Sequence, residues 1–174
     1  MAITSAIPTS FKQELLVGTH NFTASSGNSF KLALYTSSAT LGASTTAFTT
    51  TGQVSGTGYT SGGFALTSVT PTTTGTTAVC DFADATLSSA TVTARGCIIY
   101  NDTQSDKACA VIDFGGDKTS TAGDFTVVFP SPTATGAIIR LPNALCLSPR
   151  SSSALESIKK KRTTPTAAVG LMAT

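Results

Sequence analysis

The run Thr91-Val-Thr-Ala-Arg-Gly-Cys-Ile-Ile-Tyr100, then Asn101–Asp106, then Lys107-Ala-Cys-Ala-Val-Ile-Asp-Phe114, decides the fold class. Both arms hold β-branched and aromatic residues, and the Asn/Asp/Ser cluster between them has turn chemistry. The segment therefore reads as two antiparallel strands. Gly96 inside the first arm marks a bulge, since a strand glycine leaves the ladder without a side chain to pack. Gly115-Gly116-Asp117 reads as a further turn, and Asp124–Phe129 as a separate strand with Phe125, Val127 and Phe129 on one face. Pro130 and Pro132 end that strand, and Ala137–Leu141 is a last short one.

Upstream, Phe64–Thr70 and Thr76–Phe82 flank Pro71 and a Thr-Thr-Thr-Gly turn, which predicts a hairpin. Ser29–Tyr35 alternates, with Phe30, Leu32 and Leu34 on one face and Lys31 and Ala33 on the other. The Thr/Ser/Gly-rich stretch from Thr36 to Gly63 is too long for an ordinary connection. It predicts an edge strand near Ala47–Thr50 or a projecting loop. Near the N-terminus, Ser10 with Gln13 forms a capping-box signal and Gly18 a left-handed stop. Phe11, Leu15 and Leu16, with Ile7 before them, make one apolar stripe. A helix so short must dock, as a lid over one end of a β core or as an anchor on a partner. The expected fold is all-β, an antiparallel β-sandwich of jelly-roll or immunoglobulin-like type. An N-terminal segment with a short helix (residues 1–28) precedes the β domain (29–141), and an extended basic tail (142–174) follows it.

Charge sharpens this picture. Of the 174 residues 40% are hydrophobic but only 11% charged, less than half of the usual share of about 25%. A weakly charged free surface associates, so cover by neighbouring subunits is expected. Residues 1–149 carry six Lys/Arg against eight Asp/Glu, and residues 150–174 five against one, giving −2 and +4. The tail holds the block Lys159, Lys160, Lys161 and Arg162, behind a second capping-box signal at Ser153 and Glu156 that predicts a helix over about Ala154–Lys161. Such a block suits an acidic neighbour or the phosphates of DNA. No aromatic residues interleave it for base stacking.

Residues able to carry chemistry are few. Cys80, Cys97, Cys109 and Cys146 lack zinc-ligand spacing, and the first three lie in strand-like runs as small apolar residues. His20 is the single histidine, expected at a helix end or on the surface. The pairs Asp81/Asp84 and Asp113/Asp117 suit turns and caps better than a calcium loop. Gly56-Thr57-Gly58 with Gly62 and Gly63 lacks a following helix and a P-loop lysine, so a β-arch or surface loop is expected. No catalytic residue, cofactor or metal ligand is predicted, and the glycosylation patterns at Asn21 and Asn101 read as chance. No signal segment or membrane span is legible.

Several stretches carry a family resemblance. These are Ser10-Phe-Lys-Gln-Glu-Leu-Leu16, Phe30-Lys-Leu-Ala-Leu-Tyr-Thr-Ser-Ser-Ala-Thr-Leu-Gly42 and Gly52-Gln-Val-Ser-Gly-Thr-Gly-Tyr-Thr-Ser-Gly-Gly63. Asp81-Phe-Ala-Asp-Ala-Thr-Leu-Ser-Ser-Ala-Thr-Val-Thr-Ala-Arg-Gly96 and Lys118-Thr-Ser-Thr-Ala-Gly-Asp-Phe-Thr-Val127 continue it. In this order they resemble a group of small virion structural proteins of tailed bacteriophages, over residues 8 to 141. The resemblance implies a non-enzymatic particle component on the tail, tail fibre or head–tail region, or alternatively a decoration of the head surface. Its partners would be other virion proteins and copies of itself. It would be made in the host cytoplasm and end in the virion. Relatives end near the equivalent of Ala137–Leu141, so the residues beyond are either a frame change or a tail that contacts a neighbour. A carbohydrate-binding adhesin is the other class considered. It needs exposed aromatics, and the chain offers no Trp and only Tyr35, Tyr59 and Tyr100.

Overall fold

The computed structural model describes residues 2–143, and residues 1–142 make up one compact unit. The described residues are all-β apart from one short helix and a 3₁₀ turn. Its elements are α1 (Thr9–Leu16), β1 (Phe30–Tyr35), β2 (Phe64–Leu66), β3 (Ser68–Thr74), β4 (Thr77–Phe82), β5 (Ala85–Asn101), β6 (Lys107–Val127) and β7 (Ile139–Leu141). One antiparallel sheet has the order β2-β1-β5-β6, the other β3-β4-β7.

The β5–β6 hairpin is longer than the sequence suggests. Ala94 pairs with Lys118 and Gly96 with Asp113, so β5 advances two residues while β6 advances five. Phe114–Asp117 therefore loops out of one continuous strand, and the predicted Gly-Gly-Asp turn is a large bulge. Arg95 and Asp113 stabilise it, through Arg95 Nε donating to Asp117 Oδ1 at 3.0 Å and Gly115 N–H donating to Asp113 Oδ1 at 3.0 Å. Gly96 is required here because a Cβ would overlap the Ile112 carbonyl oxygen and press on the Ile3 side chain. Beyond the bulge, burial alternates as expected, with Phe125, Val127 and Phe129 inward.

The segment read as one strand over Phe64–Thr70 divides. β2 pairs with β1, and after Thr67 the chain crosses to the other sheet, where β3 pairs with β4. Pro71 sits within β3 at a register shift on an edge strand, where a missing N–H is tolerated. The turn is the two-residue Gly75-Thr76.

The inner faces of both sheets share one core, tied by an aromatic chain. Phe11 meets Phe22 edge-on at 6.1 Å, Phe22 stacks on Phe30 at 4.4 Å, Phe30 meets Phe82 at 5.6 Å and Phe82 meets Phe129 at 5.7 Å. These spacings favour aromatic pairs over plain contact. Phe11 is fully buried, and burial of such a ring contributes about 2–3 kcal/mol, which an eight-residue helix needs because it is marginal alone. The helix thus serves as a lid, but its details differ from expectation. It starts at Thr9 behind Pro8, so Ser10 lies inside the first turn and its Oγ is buried with no partner. Gly18 does take positive φ, 72°. Leu16 is 88% exposed and leaves the apolar stripe.

A second core covers the outer face of β1 and β5. Ala33, Tyr35, Ile98 and Tyr100 are buried there beneath Ile3, Ala39, Leu41 and Phe48. The Thr/Ser/Gly-rich stretch does not project. It lies over the sheet and touches it through the single-residue bridges Ala47–Lys107 and Tyr35–Gln53, with no edge strand at Ala47–Thr50.

Candidate functional site

The expected surface histidine is buried. The His20 side chain has no solvent exposure and sits among Glu14, Asn28, Asn101 and Cys109. Gln104 N–H donates to Asn101 Oδ1 at 3.2 Å, which fixes the amide orientation, so Asn101 Nδ2 donates to Asn28 Oδ1 (3.0 Å) and to His20 Nδ1 (2.9 Å). With Nδ1 accepting, His20 Nε2–H donates to Glu14 Oε2 at 2.9 Å. Lys107 Nζ holds the other Glu14 oxygen at 2.6 Å. Burial raises the Glu14 carboxyl, but the hydrogen bonds of Lys107 and His20, with the charge of Lys107, outweigh it and leave the group below the ordinary glutamate value.

Thiol, imidazole and carboxylate side by side are the parts of a cysteine nucleophile. Cys109 Sγ lies 3.8 Å from His20 Nδ1. Yet the thiol has no exposure, and desolvation, then the charges of Glu14 and Cys80, raise its pKa strongly. A thiolate is disfavoured there and no substrate can reach it. What the cluster does is clamp α1 and the following loop to the turn end of β5 and β6. Sequence reasoning missed it because Asn101 and Cys109 are 81 and 89 residues from His20.

Asp84 Oδ1 accepts from Phe129 N–H at 2.9 Å, while Asp81 Oδ1 is buried without a partner. Among the described residues no group of three or more His, Cys, Asp or Glu is placed to hold a metal, and no helix is long and apolar enough to cross a membrane. Cys80, Cys97 and Cys109 are buried free thiols. Asn101 is buried in the cluster above. Cys146 and Lys159–Arg162, with the helix expected near them, lie outside the described residues.

The glycine loop is fastened by tyrosines. Tyr100 Oη donates to Gly62 O at 2.6 Å, Tyr59 Oη accepts from Leu34 N–H and Gln53 Nε2 at 2.9 Å each, and Tyr35 Oη donates to Thr49 O at 2.5 Å. A Cβ on Gly63, where φ is 79°, would overlap the Leu32 carbonyl oxygen. Glycine serves close loop-to-sheet contact here, and Tyr35 and Tyr100 are turned inward. They form no platform for stacking a sugar.

The surface that remains is the open side between the sheets. β6 ends one sheet and β7 the other. Between them runs a groove of about 600 Å³, walled by Ile112, Phe114, Phe125, Val127, Phe129 and Ile138. Lys118 and Asp124 stand on its rim, and Val128 beside it is 69% exposed. The first part of the β6 edge is covered, since Ala47 bridges Lys107 and Ala6 exchanges both backbone hydrogen bonds with Val111 at 2.9 Å. From Phe114 to Val127 no described residue pairs with the outer edge. An uncovered edge beside an apolar groove is a place for another chain to pack.

No family model, curated protein or solved structure matches the chain.

Proposed function

We propose that this chain is a structural component of a tailed-phage virion, present in multiple copies on the tail, tail fibre or head–tail region. Its two sheets are then the halves of a β-sandwich of jelly-roll or immunoglobulin-like type, four strands against three. The resemblance over residues 8–141 supplies the particle. The open apolar side between β6 and β7 is the observation that carries the packing role. A sparsely charged domain with such a side tends to associate, and inside a particle a neighbour covers it. The chain acts by packing against copies of itself and other virion proteins, not by chemistry. The basic block Lys159, Lys160, Lys161 and Arg162 is assigned to an acidic neighbouring surface or to DNA.

Quantitative mass spectrometry of gradient-purified particles tests this reading. The expected result is the chain at a fixed multiple of the major head protein. Its presence in the infected lysate and absence from the particles would overturn the proposal.

A further inference from the structure

Lys118 stands on the inner face of β6. It lies opposite Ala94, which is fully buried, while its neighbour Thr119 meets the outward Thr93, Oγ1 to Oγ1, at 3.0 Å. The other β6 residues that wall the groove from this face, Ile112, Phe114, Phe125 and Val127, are apolar. A lysine among them can lay its stem on that surface and keep its ammonium in water. Among the described residues Lys118 is in no ion pair. Asp124, the other charge at the rim, cannot supply one. It sits on the opposite face of the strand, next to inward Phe125, and its Oδ1 accepts from Ser89 N–H at 3.4 Å.

The groove thus joins an apolar floor to one unpaired positive charge on the same face. Its volume of about 600 Å³ is that of a small-ligand site, and such sites are mostly apolar with a few polar groups that fix orientation. The floor follows one strand and its continuation, from Ile112 to Phe129, which suits a narrow, unbranched chain. A lone lysine is a point charge and matches a single anionic head. We propose that this groove binds an unbranched aliphatic carboxylate, a free fatty acid, with its chain on the floor and its carboxylate at Lys118. The site goes beyond the packing role and does not rest on it, since a chain on the floor leaves the outer edge of β6 for a neighbour.

The test is titration of the methyl-labelled, full 174-residue chain with monomeric dodecanoate, followed by nuclear magnetic resonance and calorimetry. Saturable shifts are expected at the methyls of Ile112, Val127 and Ile138. Octanoate, four methylenes shorter, should bind at least about tenfold more weakly. Lys118→Gln should weaken dodecanoate about fivefold, an effect that salt reduces, and leave dodecanol unchanged. Lys12→Gln, which changes an exposed lysine on the helix, should bind dodecanoate like wild type. Absence of shifts at the groove methyls overturns the proposal, as does equal affinity of wild type and Lys118→Gln for dodecanoate. Shifts that follow protein concentration and not dodecanoate would make the groove an interface between copies. Binding to phosphatidylglycerol vesicles without binding of monomeric dodecanoate would make it a membrane contact. Either result overturns the proposal too, and the virion reading is still decided by particle composition.

Discussion

The Glu14 carboxylate accepts a hydrogen bond from His20 Nε2 at 2.9 Å, joining the N-terminal helix to a histidine buried at the turn end of the longest hairpin. Lys107, 93 residues away in sequence, holds the same carboxylate. The N-terminal segment is therefore an integral wall of the β core.

The first prediction concerns pH. The Glu14 carboxyl lies below its reference value of 4.5 in the folded chain. Its contribution is thus complete above the unfolded value and is lost as pH falls through the folded one. Glu14→Gln should cost about 1–2 kcal/mol at neutral pH, kept modest because Lys107 is partly exposed. Urea titrations should show the gap from wild type closing as pH falls below the ordinary glutamate value. An undiminished gap in acid would contradict the pairing.

A second prediction concerns the thiols. Burial, helped by Asp81, pushes Cys80 up to about 12, and burial raises Cys97 and Cys109 further. In a Cys146→Ser chain the three should resist iodoacetamide at mildly alkaline pH and react only with denaturant. Rapid native labelling at Cys109 would mean that the cluster around His20 opens.

Gly63 and Gly116 form a contrasting pair. Gly63→Ala combines positive φ with overlap on a main-chain carbonyl, and should cost about 2–4 kcal/mol. At Gly116 nothing lies within 4 Å of the added Cβ, so Gly116→Ala should stay within about 0.5 kcal/mol. Thermal melts of the two variants decide it.

Tyr100→Phe removes the hydroxyl that donates to Gly62 and should cost about 1 kcal/mol. Amide exchange should quicken around residues 59–63 and leave β5 protected. Unchanged exchange there would show that the phenol does not fasten the loop.

Periodicity found what one strand can show about itself. The inward faces of Phe30, Leu32 and Leu34, and of Phe125, Val127 and Phe129, follow from side chains alternating across a pleat. It could not show that Ala33 and Tyr35 are also covered, because their cover is a Thr/Ser/Gly-rich stretch with no period. Gly115-Gly116 misled because glycine marks turns and bulges alike, and only the partner's register separates the two. Ser10 misled by two residues of helix phase, as Pro8 took the capping position. The groove was not legible, since it arises where two consecutive strands end different sheets, and the alternation within a strand does not tell which sheet it joins. Lys118 and Asp124 were visible as charges, but their shared rim is a product of the fold.

The most direct test of the account is a cryo-electron microscopy reconstruction of the purified particle. The account predicts symmetry-related copies of this domain in the density, with the open β6 side of each covered by a neighbour. A map that traces every major component and has no density for this domain would contradict it.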